Sequence, residues 1–177
     1  MLMVLSCTTT GVFAVAADAA PGIDNAATAT PSDSSDPAAT RATTTTYSAT
    51  DFENRLYART NTRRLRHGCR PIRQNAALAL AALLHSIRMS DSGELSHRLG
   101  DELDLDGRAV AAGYTSWRML GENLAWGQAT PGQVFREWLH SPGHRANLDS
   151  CRMRDVGVAV VIRGGEPWVT EDFGRRR

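Results

Sequence analysis

Apolar and polar residues alternate with helical spacing through the middle of the chain. A first helix is predicted to begin with Thr50 or Asp51 as its N-terminal cap and to end near His67, where Gly68 follows. A short helix is predicted over residues 108–112. The pattern therefore indicates a helical region from about residue 50 onward.

A second predicted helix is rich in alanine and is capped by Asn75. Its apolar residues recur at spacings of three and four, which predicts one stripe that faces a core. The stripe consists of Ala77, Leu80, Leu84 and Ile87. Ser92 and Gly93 are expected to end this helix.

A further helix is predicted after the Thr-Pro dipeptide at 130–131, which is a typical helix start. Val134, Phe135 and Trp138 share one face of this helix. We expect that face to be buried. We also expect two more tryptophans, Trp126 and Trp168, to lie in the core.

The C-terminal region has the pattern of strands. Residues 156–173 read VGVAVVIRGGEPWVTEDF, two strand-like runs around Gly164 and Gly165, which is the composition of a hairpin turn. The first run is apolar on both faces, so both faces should be covered. The fold class predicted is α+β, a three-layer α-β-α sandwich with a central antiparallel sheet.

The N-terminal part differs in composition from the rest. Residues 1–19 contain an apolar run that ends in Ala-Asp-Ala, the pattern of a cleaved signal peptide, which predicts an extracellular location. Residues 20–49 are mostly Ala, Thr, Ser and Pro, which predicts a disordered linker ahead of a domain at 50–177. A lipid anchor on Cys7 is the alternative to free secretion. No other run reaches the roughly 18 apolar residues of a transmembrane helix.

Charge excludes one class of partner. The net charge is +1, whereas dedicated nucleic-acid-binding proteins carry a strong basic excess. Six arginines nevertheless crowd one stretch, and a solvated helix face is favoured there over an anion-binding patch. They are Arg59, Arg63, Arg64, Arg66, Arg70 and Arg73.

Two cysteines remain once the leader is removed, Cys69 and Cys151. In an exported chain two cysteines predict one disulfide bond. The alternative, a pair of metal-binding thiolates, has less support because the chain has no CxxC and no third cysteine nearby.

Several motifs with a known mechanism are absent, namely GxGxxG, the Walker loop, HExxH and GxSxG. What remains is a scattered set: LSH at 95–97, GENLAW at 121–126 and SPGHR at 141–145. Glycines accompany the last two, and we expect tight turns there that bring a carboxylate and an imidazole together.

The order of LSH, GENLAWG, W-x-x-SPGHRANL, VGV and W-x-x-x-x-FG closely resembles the superfamily of cysteine-rich secretory, antigen 5 and pathogenesis-related 1 proteins, in its bacterial form. The resemblance covers residues 51–174. It implies an α-β-α sandwich with a surface cleft in which two histidines and one or two glutamates converge, in some members around a divalent metal. The matching residues are His97, Glu122 and His144.

The chain departs from the fuller family pattern at Ser141, where the pattern has a second glutamate. Helical geometry places Glu137 nearer solvent, so it is not a substitute. We therefore predict a cleft of His97, Glu122, Ser141 and His144. Its two histidines and Glu122 would bind zinc weakly, with an open coordination position.

Three functions are open at this point. The first is a binding module for a metal or for a small apolar, lipid or glycan ligand from the cell envelope. The second is a metal-assisted hydrolase with Glu122 as general base and His144 as a second catalytic group. The third is a structural or interaction domain. We favour binding, and we expect the protein to be a monomer. We predict that His85 packs at the edge of the core, although it belongs to the HS-x-x-M stretch of the family.

Overall fold

A computed structural model describes residues 46–177. The predicted signal peptide, the lipidation alternative at Cys7 and nearly all of the predicted linker lie outside the described residues. Within residues 46–177, no helix combines the length and the apolar character needed to cross a membrane.

The described region contains five helices and four strands. They are α1 (Ala49–Arg66), β1 (Arg73–Gln74), α2 (Ala76–Ser92), α3 (Leu105–Ala111), β2 (Trp117–Trp126), α4 (Pro131–His140), α5 (Pro142–Asp149), β3 (Asp155–Arg163) and β4 (Glu166–Arg176). Ser48, rather than Thr50 or Asp51, caps α1, because its side chain accepts a hydrogen bond from the backbone N–H of Asp51.

The strands form one sheet in the order β1-β3-β4-β2. β3 and β4 pair antiparallel, as the Gly-Gly hairpin predicts, and β4 also pairs antiparallel with β2. The two residues of β1 add to β3 in parallel, so the sheet is mixed. β2 therefore forms an outer edge of the sheet.

Helices cover both faces of the sheet, which confirms the predicted α+β sandwich. On one face α1 and α4 contribute Phe52, Leu56 and Trp138 to a core that includes Val160 and Phe173 of the strands. On the other face Met89 of α2 packs against side chains of β2 and β4. Val134, Phe135 and Trp138 of α4 are buried as predicted.

The predicted core stripe of α2 is wrong at three of its four positions, and only Ala77 packs against buried residues. Leu80, Leu84 and Ile87 are 45%, 51% and 37% exposed, and the face against the sheet carries mainly small residues. The cause is close packing: a Cβ on Gly157 of β3 would lie 2.1 Å from the backbone carbonyl carbon of Leu78. At such an approach alanine and serine fill much of the space between helix and sheet, and Leu78 and Met89 are the large apolar side chains buried on this side of α2.

The prediction that Trp126 lies in the core is also wrong. It is 42% exposed and ends the edge strand β2, with its ring stacked on buried Trp168 at a centroid distance of 5.0 Å. Trp168 itself is 4% exposed and lies in the core, as predicted.

The predicted disulfide bond between Cys69 and Cys151 is present, with 4.9 Å between the Cα atoms. It joins the loop after α1 to the loop before β3. Beside it Arg64 is fully buried, and its guanidinium donates to the carbonyl oxygens of Ser150 and Met153 at 2.9 Å each. Arg64, one of the six clustered arginines, is thus a buried structural residue. The prediction of a solvated helix face does not hold for it.

Candidate functional site

Three elements carry the predicted site residues. His97 lies in the loop between α2 and α3, Glu122 lies on the edge strand β2, and His144 lies in the first turn of α5. The GENLAW and SPGHR segments are therefore a strand and a helix start, and the prediction of tight turns is wrong.

Gly121 has a different role from the one expected. A Cβ at this position would lie 2.6 Å from the side-chain oxygen of Asn147, so glycine lets α5 approach β2 closely. Asn147 uses this approach to donate a hydrogen bond to the carbonyl oxygen of Glu122 at 3.1 Å. Gly121 thus allows α5, which carries His144, to pack closely against β2, which carries Glu122.

The carboxylate of Glu122 is buried and engaged on both oxygens. Nδ1 of His97 donates to Oε1 at 2.6 Å, and the guanidinium of Arg108 donates to Oε2. Burial acts to raise the pKa of Glu122, but the hydrogen bond from His97 and the charge of Arg108 outweigh it. The pKa therefore lies below its usual value, and the group is an anion at neutral pH.

Arg108 of α3 is a site residue that the sequence motifs do not reveal. It is 6% exposed, and its guanidinium also donates to the carbonyl oxygens of His97 and Leu103 at 3.0 and 3.2 Å. These bonds fix the loop that carries His97. Nothing in the local sequence distinguishes Arg108 from a surface arginine, because its partners come from distant positions.

His85 is fully buried behind Glu122, so the prediction that it packs at the edge of the core is wrong. Its Nδ1 donates to Oε2 of Glu102 at 2.9 Å, and its Nε2 lies 3.8 Å from Oε2 of Glu122. We call the five residues of this array the cleft network. They are His85, Glu102, Arg108, Glu122 and His97.

Asp172 of β4 is a further buried acid beside this network and is the cross-strand partner of Glu122. It is fully buried, and within residues 46–177 neither carboxyl oxygen has a hydrogen-bond partner. Burial raises the pKa of Asp172 well above its usual value, and the negative charge of Glu122 raises it further. No motif in the sequence reveals this second acid.

The two cleft histidines differ in their electrostatics. The hydrogen bond to Glu122 raises the pKa of His97, whose side chain is 63% exposed. Burial lowers the pKa of His144, and the positive charge of His97 lowers it further. His144 packs edge-on against Trp138 at 6.5 Å between ring centroids, and its carbonyl oxygen accepts from Asn123. The cleft thus has an exposed, readily protonated imidazole and a second, neutral one.

The donor types of His97, Glu122 and His144 suit zinc, but their arrangement does not. Among residues 46–177, no three His, Cys, Asp or Glu side chains form a group that could hold an ion. Both oxygens of Glu122 are occupied, and the guanidinium of Arg108 already supplies a cation beside them. A divalent ion would have to displace one of these partners, so weak zinc binding stays a prediction.

Arg108→Gln tests this competition. The substitution removes the cation and frees an oxygen of Glu122, so we expect zinc to bind at least about tenfold more tightly, equivalent to about 1.4 kcal/mol. Calorimetric titration with zinc at neutral pH measures the change, and circular dichroism checks the fold. Arg118→Gln, on the exposed side of β2, is the matched control and should bind as the wild type does. Equal affinity in all three proteins would contradict the competition.

Comparisons with known proteins agree with this architecture. The model of the cysteine-rich secretory protein family, CAP, matches residues 57–171. The uncharacterized protein YkwD of Bacillus subtilis (strain 168) is 30% identical over 146 residues, which cover 78% of this chain and 55% of that protein. The chain therefore spans about half the length of this relative.

Two solved structures have the same fold. An extracellular protein containing a SCP domain from Bacillus anthracis str. Ames is 27% identical with a TM-score of 0.64, and the match covers 72% of this chain and 41% of that one. An outer surface protein from Borrelia burgdorferi is 20% identical with a TM-score of 0.63, covering 69% of this chain and 90% of that one. With the family match over most of the described region, these findings show that the chain belongs to the cysteine-rich secretory protein (CAP) family.

Proposed function

We propose that this domain is an extracellular binding module whose cleft, formed by His97, Glu122, Ser141 and His144, holds a small hydroxyl-rich ligand such as a glycan of the cell envelope. The observation that carries the proposal is the cleft network. Four of its members are at most 7% exposed, yet they carry two carboxylates, a guanidinium and an imidazole. Burying such charges is costly and seldom stabilises a fold more than apolar packing would. We therefore infer that the hydrogen bonds of the network serve to orient Glu122 and His97 for ligand binding.

The polarity of the cleft favours a glycan over an apolar ligand. His97 and His144 offer ring nitrogens, and Ser141 adds a partly exposed hydroxyl between α4 and α5. Sugar hydroxyls both donate and accept hydrogen bonds, so they match this mixed set. An apolar ligand would leave these groups desolvated and unpaired, which costs free energy.

An extracellular location is supported by the disulfide bond and by the relatives. Disulfides persist in oxidising compartments outside the cytosol. One relative of known structure is described as an extracellular protein and another as an outer surface protein. A ligand in the cell envelope is consistent with that location.

The hydrolase alternative has less support than binding. A general base works best with a pKa near the working pH. The pKa of Glu122 lies below its usual value, and both oxygens of the carboxylate are already hydrogen-bonded. His144, whose neutral form burial favours, is the better acceptor for a proton in this cleft.

Titration with the β-1,4-linked trimer of N-acetylglucosamine, followed by NMR, tests the proposal. We expect saturable binding with a Kd of about 0.01–1 mM, corresponding to about 4–7 kcal/mol. His97→Ala and His144→Ala should each weaken binding at least about tenfold, because each removes a hydrogen-bonding partner of the sugar.

His140→Ala is the matched control, because His140 is exposed at the end of α4. It should bind as the wild type does. If no concentration of the trimer shifts the cleft resonances, or if the histidine variants bind equally well, the glycan proposal fails.

A further inference from the structure

Arginine side chains of α1 and α4 meet on one side of the domain. Arg59, Arg63 and Arg66 follow one another on α1 at spacings of four and three, so they share one face of the helix. Arg136 of α4 reaches the same place. A Cβ on Gly132 would lie 3.3 Å from Nη2 of Arg59 and 3.7 Å from Nη1 of Arg136, so the two guanidinium groups approach one point.

Three of these arginines have no carboxylate partner within residues 46–177. They are Arg59, Arg66 and Arg136, and none of them has a carboxylate oxygen within 4.0 Å. Arg63 is the exception, because it pairs with Asp149 at 2.7 Å. Like charges at such spacings repel one another when no anion lies between them. The surface between α1 and α4 therefore carries positive charge that the described residues do not balance.

The one acid that pairs with this surface is already shared among several cations. The hydrogen bond from Arg63 lowers the pKa of Asp149, and the charges of Arg63, His67 and Arg145 lower it further. Nε2 of His67 lies 3.8 Å from the Asp149 carboxylate. One carboxylate among three basic side chains leaves a local excess of positive charge.

Two further acids on these helices face elsewhere. Glu137 of α4 accepts a hydrogen bond from Gln128 at 2.6 Å. At 100° per residue it lies on the opposite side of α4 from Phe135, which faces α1. Asp51 lies in the first turn of α1 and accepts from the hydroxyl of Ser48 at 3.0 Å. Neither acid is placed to neutralise the arginines.

The arginines line a groove rather than a flat surface. A cavity of about 250 Å³ lies between α1 and α4. Phe135 and Leu139 form its apolar side, and basic residues of α1 form its cationic side. We call the lining residues together with Arg136 the arginine groove. The lining residues are Arg59, Thr62, Arg63, Arg66, Phe135 and Leu139.

The helix dipole explains only part of this cluster. Arg63 and Arg66 lie in the last turn of α1, where a positive charge is favourable. Arg59 lies about two turns before the end of the helix, and Arg136 belongs to a different helix. The sequence favours a solvated helix face because it shows the arginines of α1 alone. The structure adds Arg136 and the apolar side of α4.

The lining of the groove suits a particular class of anion. A guanidinium group binds phosphate oxygens through two parallel hydrogen bonds. Arg59 and Arg66 are seven residues apart on α1, which corresponds to about 10 Å along the helix axis. Phe135 and Leu139 add apolar contact area in the same groove. A polymer whose phosphate groups are joined by short carbon chains alternates charge and carbon in the same way.

We propose that the arginine groove binds a phosphodiester polymer of the cell envelope, in which short polyols link the phosphate groups. Arg59 and Arg136 hold one phosphate group between them, and Arg66 holds a neighbouring one. The carbon links pack against Phe135 and Leu139. This site is separate from the cleft network, so it does not depend on the glycan proposal.

Titration of the full chain with a synthetic hexamer of 1,3-linked glycerol phosphate tests the proposal, with NMR of the arginine Nε–Hε resonances. We expect saturable shifts for Arg59, Arg66 and Arg136 at low salt, with a Kd of about 0.1–1 mM. Binding should weaken at about 0.5 M salt, because salt screens exposed charges. A variant with both Arg59→Gln and Arg136→Gln should bind at least about tenfold more weakly, since each change removes charge-assisted hydrogen bonds.

A variant with both Arg118→Gln and Arg177→Gln is the matched control. It loses the same charge from exposed positions outside the groove and should bind as the wild type does. No saturable shift in the wild type, or equal binding by the Arg59 and Arg136 double variant, would overturn the proposal.

Two other probes test the choice of ligand. Hexa-L-glutamate presents carboxylates instead of phosphates, and equal affinity for it would show simple charge attraction. Hexathymidylate presents phosphodiesters with bases attached, and binding as tight as that of the glycerol phosphate hexamer would assign the groove to nucleic acid. Either result would overturn the proposal, whereas weaker binding of both probes supports it.

Discussion

Replacing Glu171 by glutamine is expected to raise the free energy of unfolding at pH 8 by about 3 kcal/mol and to change it little near pH 4. Glu171 is fully buried on β4. Its Oε1 accepts a hydrogen bond from the Thr60 hydroxyl at 2.8 Å, while its Oε2 has no partner within residues 46–177. Burial raises the pKa of Glu171 to about 8, against smaller opposing effects of Thr60 and Arg64.

The direction of this pH dependence follows from proton binding to Glu171. Between the usual pKa of 4.5 and the folded value of about 8, the folded chain binds a proton that the unfolded chain has released. Stability therefore falls as the pH rises through this window and stays at the lower level above it. Each unit of pKa corresponds to about 1.36 kcal/mol, so the full shift sets an upper limit near 5 kcal/mol. Glutamine does not ionise and still accepts the Thr60 hydrogen bond.

Urea denaturation of the wild type and of Glu171→Gln at pH 4 and pH 8 measures the effect. Glu94→Gln, at an exposed position after α2, is the control and should follow the wild type at both pH values. An equal change in stability at pH 4 and pH 8 would show that Glu171 does not titrate in this window.

The spacing of apolar residues predicted a helix correctly where the helix has a single apolar face. The Thr-Pro start of α4 and the spacing of Val134, Phe135 and Trp138 indicate a helix with one buried face, and that helix is present. The same spacing rule failed for α2, because the helix has two apolar stripes and periodicity does not say which one meets the sheet. The close approach of α2 to Gly157 decides between them, and Gly157 lies 79 residues beyond Leu78 in the chain.

Sequence motifs identified the three residues of the cleft but not the buried residues that hold them in place. His97, Glu122 and His144 stand in recognisable segments, whereas Glu102 and Arg108 resemble ordinary surface charges in the sequence. They are buried because α3 folds back beneath the His97 loop, a tertiary arrangement that no local pattern encodes. Arg64 is a similar case, since its acceptors are carbonyl oxygens between Leu148 and Met153.

Removing the disulfide bond should have the largest effect on stability. In a variant with both Cys69→Ser and Cys151→Ser, we expect the free energy of unfolding to fall by about 3–4 kcal/mol. The bonded cysteines are 82 residues apart, and for a loop of that length the chain-entropy model gives a limit of about 4.5 kcal/mol. The bond also fixes the loops on either side of Arg64, whose buried hydrogen bonds depend on their position. The variant should still fold, because the apolar cores on both faces of the sheet do not include the bond.

Urea denaturation with and without a reducing agent checks this expectation. Reduced wild type should be about as unstable as the double-serine variant, because both lack the same cross-link in the unfolded chain. The reducing agent should not change the stability of the variant itself, which serves as the internal control. If reduction leaves the wild type as stable as before, the cross-link contributes little, and the packing around Arg64 and the two cores must hold these loops in place without it.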